Sequence, residues 1–424
     1  MEPLNLGVLA GLTPPDVEVV LHDDRMEPIP YDEPTDLVAL TVETYTARRA
    51  YEIAAEYRRR GVKVIMGGFQ PTLLPEESAR HADSIFIGDA ETLWETVIDD
   101  ARAGRLAPLY SARPGVAQRG GVMARRDIFR GKGYLPVSLM QFSRGCRFTC
   151  DFCAVSKYFN RSHYLRDIRE TVREIEQLER RFIFFVDDNI ASNREALKEL
   201  CRALIPLRIN WVSQASIDIT KDLELMDLMM KSGCLGHVIG FESINRDNLV
   251  NARKSPNLSG FSGYRKEVAI LRDYGMQTWA AFTLGYDHET RDTIRETLEF
   301  ALENHFTFAA FNILMPYPNT PLYDRLKAEG RLLYDGKWWL HPDYRFNHAA
   351  FIPRLMEPDE LTGACQEART RFNSIPSLVR RFMDLKTNMR TMRRMLSYWR
   401  FTPVFRREVF KKHGMRFGLG RERE

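Results

Sequence analysis

A chain of 424 residues with 44% hydrophobic and 28% charged side chains has the makeup of a globular protein large enough for two or three domains, which excludes disorder and a small disulfide-stapled fold. No run approaches the roughly 18 uncharged apolar residues of a bilayer-spanning helix, and Met1-Glu2-Pro3-Leu4 lacks the features of a secretory leader, so the cytosol is the expected compartment. The net charge of +4 divides into +10 from Arg380 to Glu424 and −6 over the rest, a basic tail on a mildly acidic body.

In chain order, residues 4 to about 110 read as a small α/β unit. Val17–Leu21, Leu37–Val42, Val62–Met66 and Ser84–Ile87 are short runs rich in β-branched or aromatic residues, and Ala47–Arg59 is a helical pattern ending near Gly61. Strands alternating with helices imply a parallel doubly wound sheet, which binds ligands beyond the carboxyl ends of its strands. Gly67, Gly68 and Gly88 stand at two such ends, where a glycine permits close backbone approach or serves a plain turn. With no strand ahead of Leu4-Asn5-Leu6-Gly7, the opening strand of a complete unit is expected to be missing.

Residues 111–134, with Pro114, Gly115, Gly120 and Gly121 among several arginines, read as a linker. A second and more regular series follows. Its strands are expected at Val137–Phe142, Phe182–Val186, Ile209–Ile217, His237–Phe241, Thr278–Leu284 and Phe308–Leu314, with helical patterns between them. Six β-α repeats point to an incomplete parallel barrel or a large open α/β sheet, and in a barrel the working residues sit at the carboxyl ends of the strands. Past residue 345 only helical patterns remain. The expected divisions are residues 1–120, 121–345 and 346–424.

Three of the six cysteines, Cys146, Cys150 and Cys153, fall in one loop after the first strand of the second series. Clustered thiols in a reducing compartment bind metal or do chemistry, and three soft ligands suit iron–sulfur or zinc. A closed zinc site needs a fourth ligand, and no histidine or second Cys-x2-Cys lies nearby, which favours a cluster with one open iron. Cys201, Cys234 and Cys365 stand alone on helical patterns and read as small buried hydrophobes.

The Cys146-x3-Cys150-x2-Cys153 spacing, with Phe152 before the last cysteine and a strand before the loop, resembles the signature of the radical S-adenosylmethionine (SAM) superfamily. The resemblance implies a partial (βα)6 barrel and a [4Fe-4S] cluster on Cys146, Cys150 and Cys153. It also implies that the open iron chelates SAM, and that one electron from an external reductant yields a 5′-deoxyadenosyl radical. The remaining strand ends then become expected SAM contacts: Asp187 and Asp188, Gln214 and Ser216, Glu242, Gly285 and Glu289, and Pro316. Two of these segments have a plainer reading as well: Asp187 to Asn189 and Asp287 could simply cap helices.

Gly67-Gly68-Phe69-Gln70-Pro71-Thr72 and Ile87-Gly88-Asp89-Ala90-Glu91 are similar to the cobalamin-binding domain that precedes the barrel in B12-type radical SAM enzymes. The resemblance implies cobalamin contacts at Gly67, Gly68, Gly88 and Glu91. Without an Asp-x-His-x-x-Gly stretch, no histidine of that kind would stand beneath cobalt. The leading expectation is a cobalamin-dependent methyltransferase acting on an unactivated carbon of a small-molecule substrate. The alternatives are a radical SAM cyclase, oxidase or rearrangement enzyme, and a non-catalytic iron–sulfur or corrinoid-binding protein. Methylthiolation is disfavoured because residues 1–130 contain no cysteine.

Trp338, Trp339 and Tyr344 are expected to pack rather than to line a substrate cavity. The tail interleaves arginines with Phe382, Tyr398, Trp399, Phe401 and Phe405. This fits either an interfacial helix on anionic lipid or a solvated helix with one packed side. No recognition module accompanies it, so nucleic acid is not an expected partner. A hydrophobic or lipid-like substrate is the corresponding expectation.

Overall fold

The computed structural model describes residues 1–113 and 122–415; Pro114, Gly115, Gly120 and Gly121 of the expected linker, the expected boundary at 120/121 and the end of the tail lie outside them. Four parallel strands, β1 (Leu37–Thr41), β2 (Lys63–Gly67), β3 (Ser84–Ile87) and β4 (Leu109–Ser111), pair in the order β1-β2-β3-β4. Val64, Ile65 and Met66 are all buried because both faces of β2 are covered. The Ala47–Arg59 helix packs with Val64, Met66 and Ile85 on one face, while the Leu4–Leu12 and Trp94–Arg102 helices meet Ile65, Phe86 and Tyr110 on the other. Val17–Leu21 is not a strand. It follows Pro14-Pro15, leaves Val20 59% exposed and finds no partner, so its β-branched content alone does not make it one.

The second series forms as expected. Strand β5 (Ser138–Met140) leads into a short antiparallel ribbon of β6 (Ser143–Gly145) and β7 (His163–Leu165). Then come β8 (Phe182–Phe185), β9 (Asn210–Ala215), β10 (Cys234–Glu242), β11 (Trp279–Leu284) and β12 (Phe308–Ile313). The parallel order β12-β11-β10-β9-β8-β5 is that of a barrel left open between its first and last strands. Alternate residues such as Trp211, Phe282 and Phe311 are buried against the surrounding helices, which leaves Phe184, Gln214, Thr283 and Asn312 on the inner side.

Beyond β12 the regular elements are helices, Pro321–Ala328, Pro358–Phe372, Ile375–Phe382 and Met392–Lys412, while residues 329–357 are mostly turns and irregular chain with one isolated bridge, Leu332 to Phe351, so the expected helical region begins at Pro358. Trp338, Trp339 and Tyr344 are buried with the Ala47–Arg59 helix, and Trp338 Nε1 donates to Pro316 O at 2.9 Å, so this aromatic run packs the two sheets together. Cys201, Cys234 and Cys365 are buried. The tail is only partly surface: Phe401 meets Phe182 at 5.5 Å, and Phe405 meets Trp279 and Phe308 at 4.6 and 4.8 Å between ring centroids. Those three partners are the first residues of β8, β11 and β12, so the tail closes the amino-terminal pole of the barrel. Among the described residues no helix is long and apolar enough to cross a membrane.

Candidate functional site

The cysteine loop starts from a buried carboxylate. Asp187, just beyond β8, accepts from Phe142 N at 3.1 Å, from Ser143 Oγ at 2.5 Å and from the Ser143 amide. Asp188 accepts from Gly145 N at 2.8 Å. Burial pushes the Asp187 carboxyl up to about 7 against the pull of its donors. The bond to the Phe142 amide takes that group out of the β5 ladder, so β5 ends at Met140, short of the Phe142 expected from the apolar run. Gly145 then turns at φ +81, where a Cβ would lie 2.2 Å from Ser162 O.

Cys146, Cys150 and Cys153 follow as free, partly exposed thiols. Asn189 Nδ2 and Ser192 Oγ stand 4.0 and 3.9 Å from Cys146 Sγ. Burial pushes the Cys150 thiol up to about 12 and raises Cys153 as well, so both stay protonated at neutral pH unless a cationic centre compensates. Three soft donors in one loop suit iron. Among the described residues no three His, Cys, Asp or Glu side chains crowd closely enough to hold a single metal ion. A four-iron cluster, taking each thiolate on a different iron, does not require that closeness.

Across the loop, β10 ends in a bulge at Gly240/Glu242, and Glu242 adopts φ +62. Its Oε1 accepts from Lys254 Nζ at 2.7 Å and its Oε2 from Thr283 Oγ1 at 2.8 Å. Lys254 also lies 5.9 Å from the centroid of the Phe152 ring. Burial alone would lower the Lys254 ammonium, but the Glu242 carboxylate outweighs it and the net direction is up. Gly240 makes room for the pair: a Cβ there would sit 2.3 Å from Glu242 Oε1 and 3.0 Å from Lys254 Nζ.

The other expected contacts divide by what already holds them. Ser216 Oγ donates to Asp218 Oδ1 at 2.5 Å and accepts from Asn189 Nδ2 at 3.2 Å, one strand from Cys146. Gln214 sits on the inner side of β9. Gly285 turns at φ +105, and its amide and that of Tyr286 both donate to Glu289 Oε2. Thr290 rather than Asp287 caps the next helix; Asp287 pairs with Arg325 at 2.7 Å and Arg331 at 3.0 Å. Pro316 offers its carbonyl to Trp338. Asp187 and Glu289 therefore brace loops, whereas Cys146, Cys150, Cys153, Glu242 and Ser216 converge at the carboxyl pole of the barrel.

Glu289 carries a pH signature. It is fully buried, and desolvation pushes it up to about 7. A carboxyl whose folded value exceeds its unfolded one stabilises the fold when protonated, and that contribution is lost as pH rises toward 7. Glu289→Gln, which keeps an acceptor for both amides, is expected to remove about 3 kcal/mol of the fall in unfolding free energy between pH 4.5 and 7. Denaturant titrations at several pH values check this, and an unchanged slope contradicts it.

The first sheet meets this pole across a cavity of about 470 Å³. Thr41, Gly67, Gly68 and Gly88 line it from the ends of β1 to β3, Gln141, Arg144 and Asp188 from the barrel, and the Leu4–Leu12 helix from the side. Gly68 lies at φ +103, where a Cβ would come 3.0 Å from Val42 O, and Gly88 at φ +85. Glu91 is engaged at 2.5 Å by Arg144, which also reaches Asp89 at 3.2 Å, so this carboxylate locks the sheet to the cysteine loop. Glu43, exposed at the end of β1, also lines the cavity.

Lys254, Arg144, Ser143 and Glu43 escaped the reading of the sequence. Lys254, Arg144 and Ser143 act through partners well removed in the chain, and Glu43 lines the cavity only because the two sheets face each other there.

A parallel barrel with three cysteines in the loop after its first strand defines a radical SAM core, and residues 140–301 match the model of the radical SAM superfamily. The chain belongs to that superfamily. It is 30% identical over 346 residues to the bacteriochlorophyllide d C-8(2)-methyltransferase of Chlorobaculum tepidum, covering 77% of this chain and 76% of that protein. It is 28% identical over 376 residues to the C-12(1)-methyltransferase of the same organism, covering 85% and 80%. Among solved structures, TsrM from Kitasatospora setae with cobalamin and [4Fe-4S] cluster bound superposes with a TM-score of 0.57 at 18% identity, over 71% of this chain and 68% of that one. OxsB with aqua-cobalamin and S-adenosylmethionine bound gives 0.63 at 14% identity, over 88% and 63%. At such identities the two structures speak for the fold.

Proposed function

We propose that this protein methylates an unactivated carbon of a hydrophobic small molecule, using a cluster held by Cys146, Cys150 and Cys153 together with SAM and cobalamin. The observation that carries the reading is the cavity between the two sheets. Its walls include glycine-lined strand ends on one side and Arg144 and Asp188, which border the cysteine loop, on the other. When bound, the cluster supplies the electron that splits SAM, and methylcobalamin supplies the methyl group.

The chain's own residues bind and orient. Asp187, Asp188 and Ser143 fix the entry to the cysteine loop; Asn189 and Ser192 place hydrogen-bond donors toward Cys146. Glu242, held by Lys254 and Thr283, presents a carboxylate edge at the end of β10, suited to the hydroxyls or ammonium of SAM. Gly67, Gly68 and Gly88 let a flat cofactor approach the backbone closely. The bacteriochlorophyllide methyltransferases among the relatives make a tetrapyrrole the first substrate class to test. Titrating the anaerobic protein with hydroxocobalamin is expected to give saturable binding with a changed visible spectrum. Absence of binding would leave a radical SAM enzyme that transfers no methyl group through cobalamin.

A second reading concerns location. The exposed arginines and apolar side chains of residues 375–412 favour peripheral binding to an anionic membrane surface.

A further inference from the structure

We propose that the outer face of the Ile375–Phe382 and Met392–Lys412 helices docks on an anionic lipid bilayer in one orientation, with the cysteine-bearing pole of the barrel turned away from it. This rests on the peripheral-membrane reading and adds the face, the orientation and a consequence for substrate entry.

The inner sides of these helices are spoken for. Tyr398, Arg394, Thr402, Leu378 and Arg381 are buried, Tyr398 OH donates to Leu378 O at 2.7 Å, and Arg381 donates to Phe306 O and Thr307 O. Arg393 reaches Asn210, the first residue of β9, at 2.7 Å. What remains outside is apolar in register. Ile375, Val379 and Met383 follow at i, i+4 and i+8, and Met392, Leu396 and Trp399 at i, i+4 and i+7, all between 43% and 68% exposed. Trp399 rests on Phe382 at 5.0 Å and joins the two stripes into one patch. Scattered surface hydrophobes need no explanation, but a continuous stripe does.

Its charge names the partner. Residues 375–412 hold eleven Lys/Arg against two Asp/Glu, and of the basic ones Arg381 and Arg394 are buried. Arginines bordering an apolar stripe match acyl chains flanked by lipid phosphates. A second copy on the same face would bring two positive patches together. Nucleic acid would find only Trp399 and Phe410 exposed, well apart along one helix and among aliphatic side chains, which makes no continuous stacking platform. The helices cap the amino-terminal pole, whereas the cysteines lie past the carboxyl ends of strands whose six residues span about 20 Å. A bilayer on this face therefore leaves the mouth open to water, and the substrate enters from the aqueous side instead of rising from the leaflet beneath.

The test is sedimentation of the full-length protein with vesicles of phosphatidylserine and phosphatidylcholine, or of phosphatidylcholine alone. The stripe variant Met392→Asp/Leu396→Asp, both exposed positions, runs in parallel with its unfolding temperature as a folding control. The expected result is binding to the anionic vesicles only, weakened by salt and reduced at least about tenfold in the variant, with quenching by brominated lipid that Trp399→Phe removes. Failure of the wild type to bind would overturn both the membrane reading and this one. Undiminished binding by the variant would leave peripheral binding standing and overturn the face and its orientation. A dimer that the variant dissolves, without vesicle binding, would make the patch a protein interface and overturn the proposal.

Discussion

Alanine at Cys146, Cys150 or Cys153 is expected to lower reductant-dependent release of 5′-deoxyadenosine from SAM by more than about 100-fold. Loss of a partner one step removed from a metal already costs 10- to 100-fold, and loss of the ligand itself exceeds that. The three thiols sit in a loop whose entry is fixed by Asp187 and Asp188, so each substitution is local and the barrel should fold. Iron and sulfide analysis of anaerobically reconstituted protein, with the release assay, checks this. Full activity in all three variants would remove the site. Alanine at the buried Cys201, Cys234 or Cys365 leaves the release step intact on the same account.

The second large effect is at the Glu242–Lys254 pair. Both side chains are nearly closed off from solvent, at 10% and 15% exposure, and their charged atoms lie 2.7 Å apart. Lys254→Met strands the carboxylate in that environment, with only Thr283 still donating, and is expected to cost about 3–5 kcal/mol of stability. Adding Glu242→Gln should return much of that loss, because a buried pair removed as a unit is often close to neutral. The double variant should nevertheless bind SAM more weakly, having lost the charged edge at the end of β10. Denaturant unfolding of the four proteins, read as a double-mutant cycle, gives the coupling. Additive losses would show that the pair is not a unit.

The contrast between these sites indicates what the sequence discloses. The cysteine loop was legible because its ligands are local: three thiols within eight residues, after a strand whose apolar run is clear. The six barrel strands were legible for the same reason, each being a short apolar run between helical patterns of different period. Val17–Leu21 has the composition of a strand but no neighbour to pair with, and pairing is a property of the fold rather than of the segment. Asp187 and Glu289 showed the right residue types at the right strand ends, yet their oxygens are engaged by backbone amides that no spacing rule displays. Arg144 joins Asp89 and Glu91 from more than fifty residues away. The tail's rings divide between the barrel pole and solvent, a partition that only packing decides.

The central claim is that one chain brings cluster-bound SAM and cobalamin together. It is tested most directly without knowing the substrate. The anaerobically reconstituted protein, loaded with reduced cobalamin, is incubated with SAM labelled in its methyl group, and the bound corrinoid is analysed by mass spectrometry. The account predicts labelled methylcobalamin on the protein, together with reductant-dependent 5′-deoxyadenosine that is lost in Cys150→Ala. Release of 5′-deoxyadenosine with no bound or labelled corrinoid would contradict it.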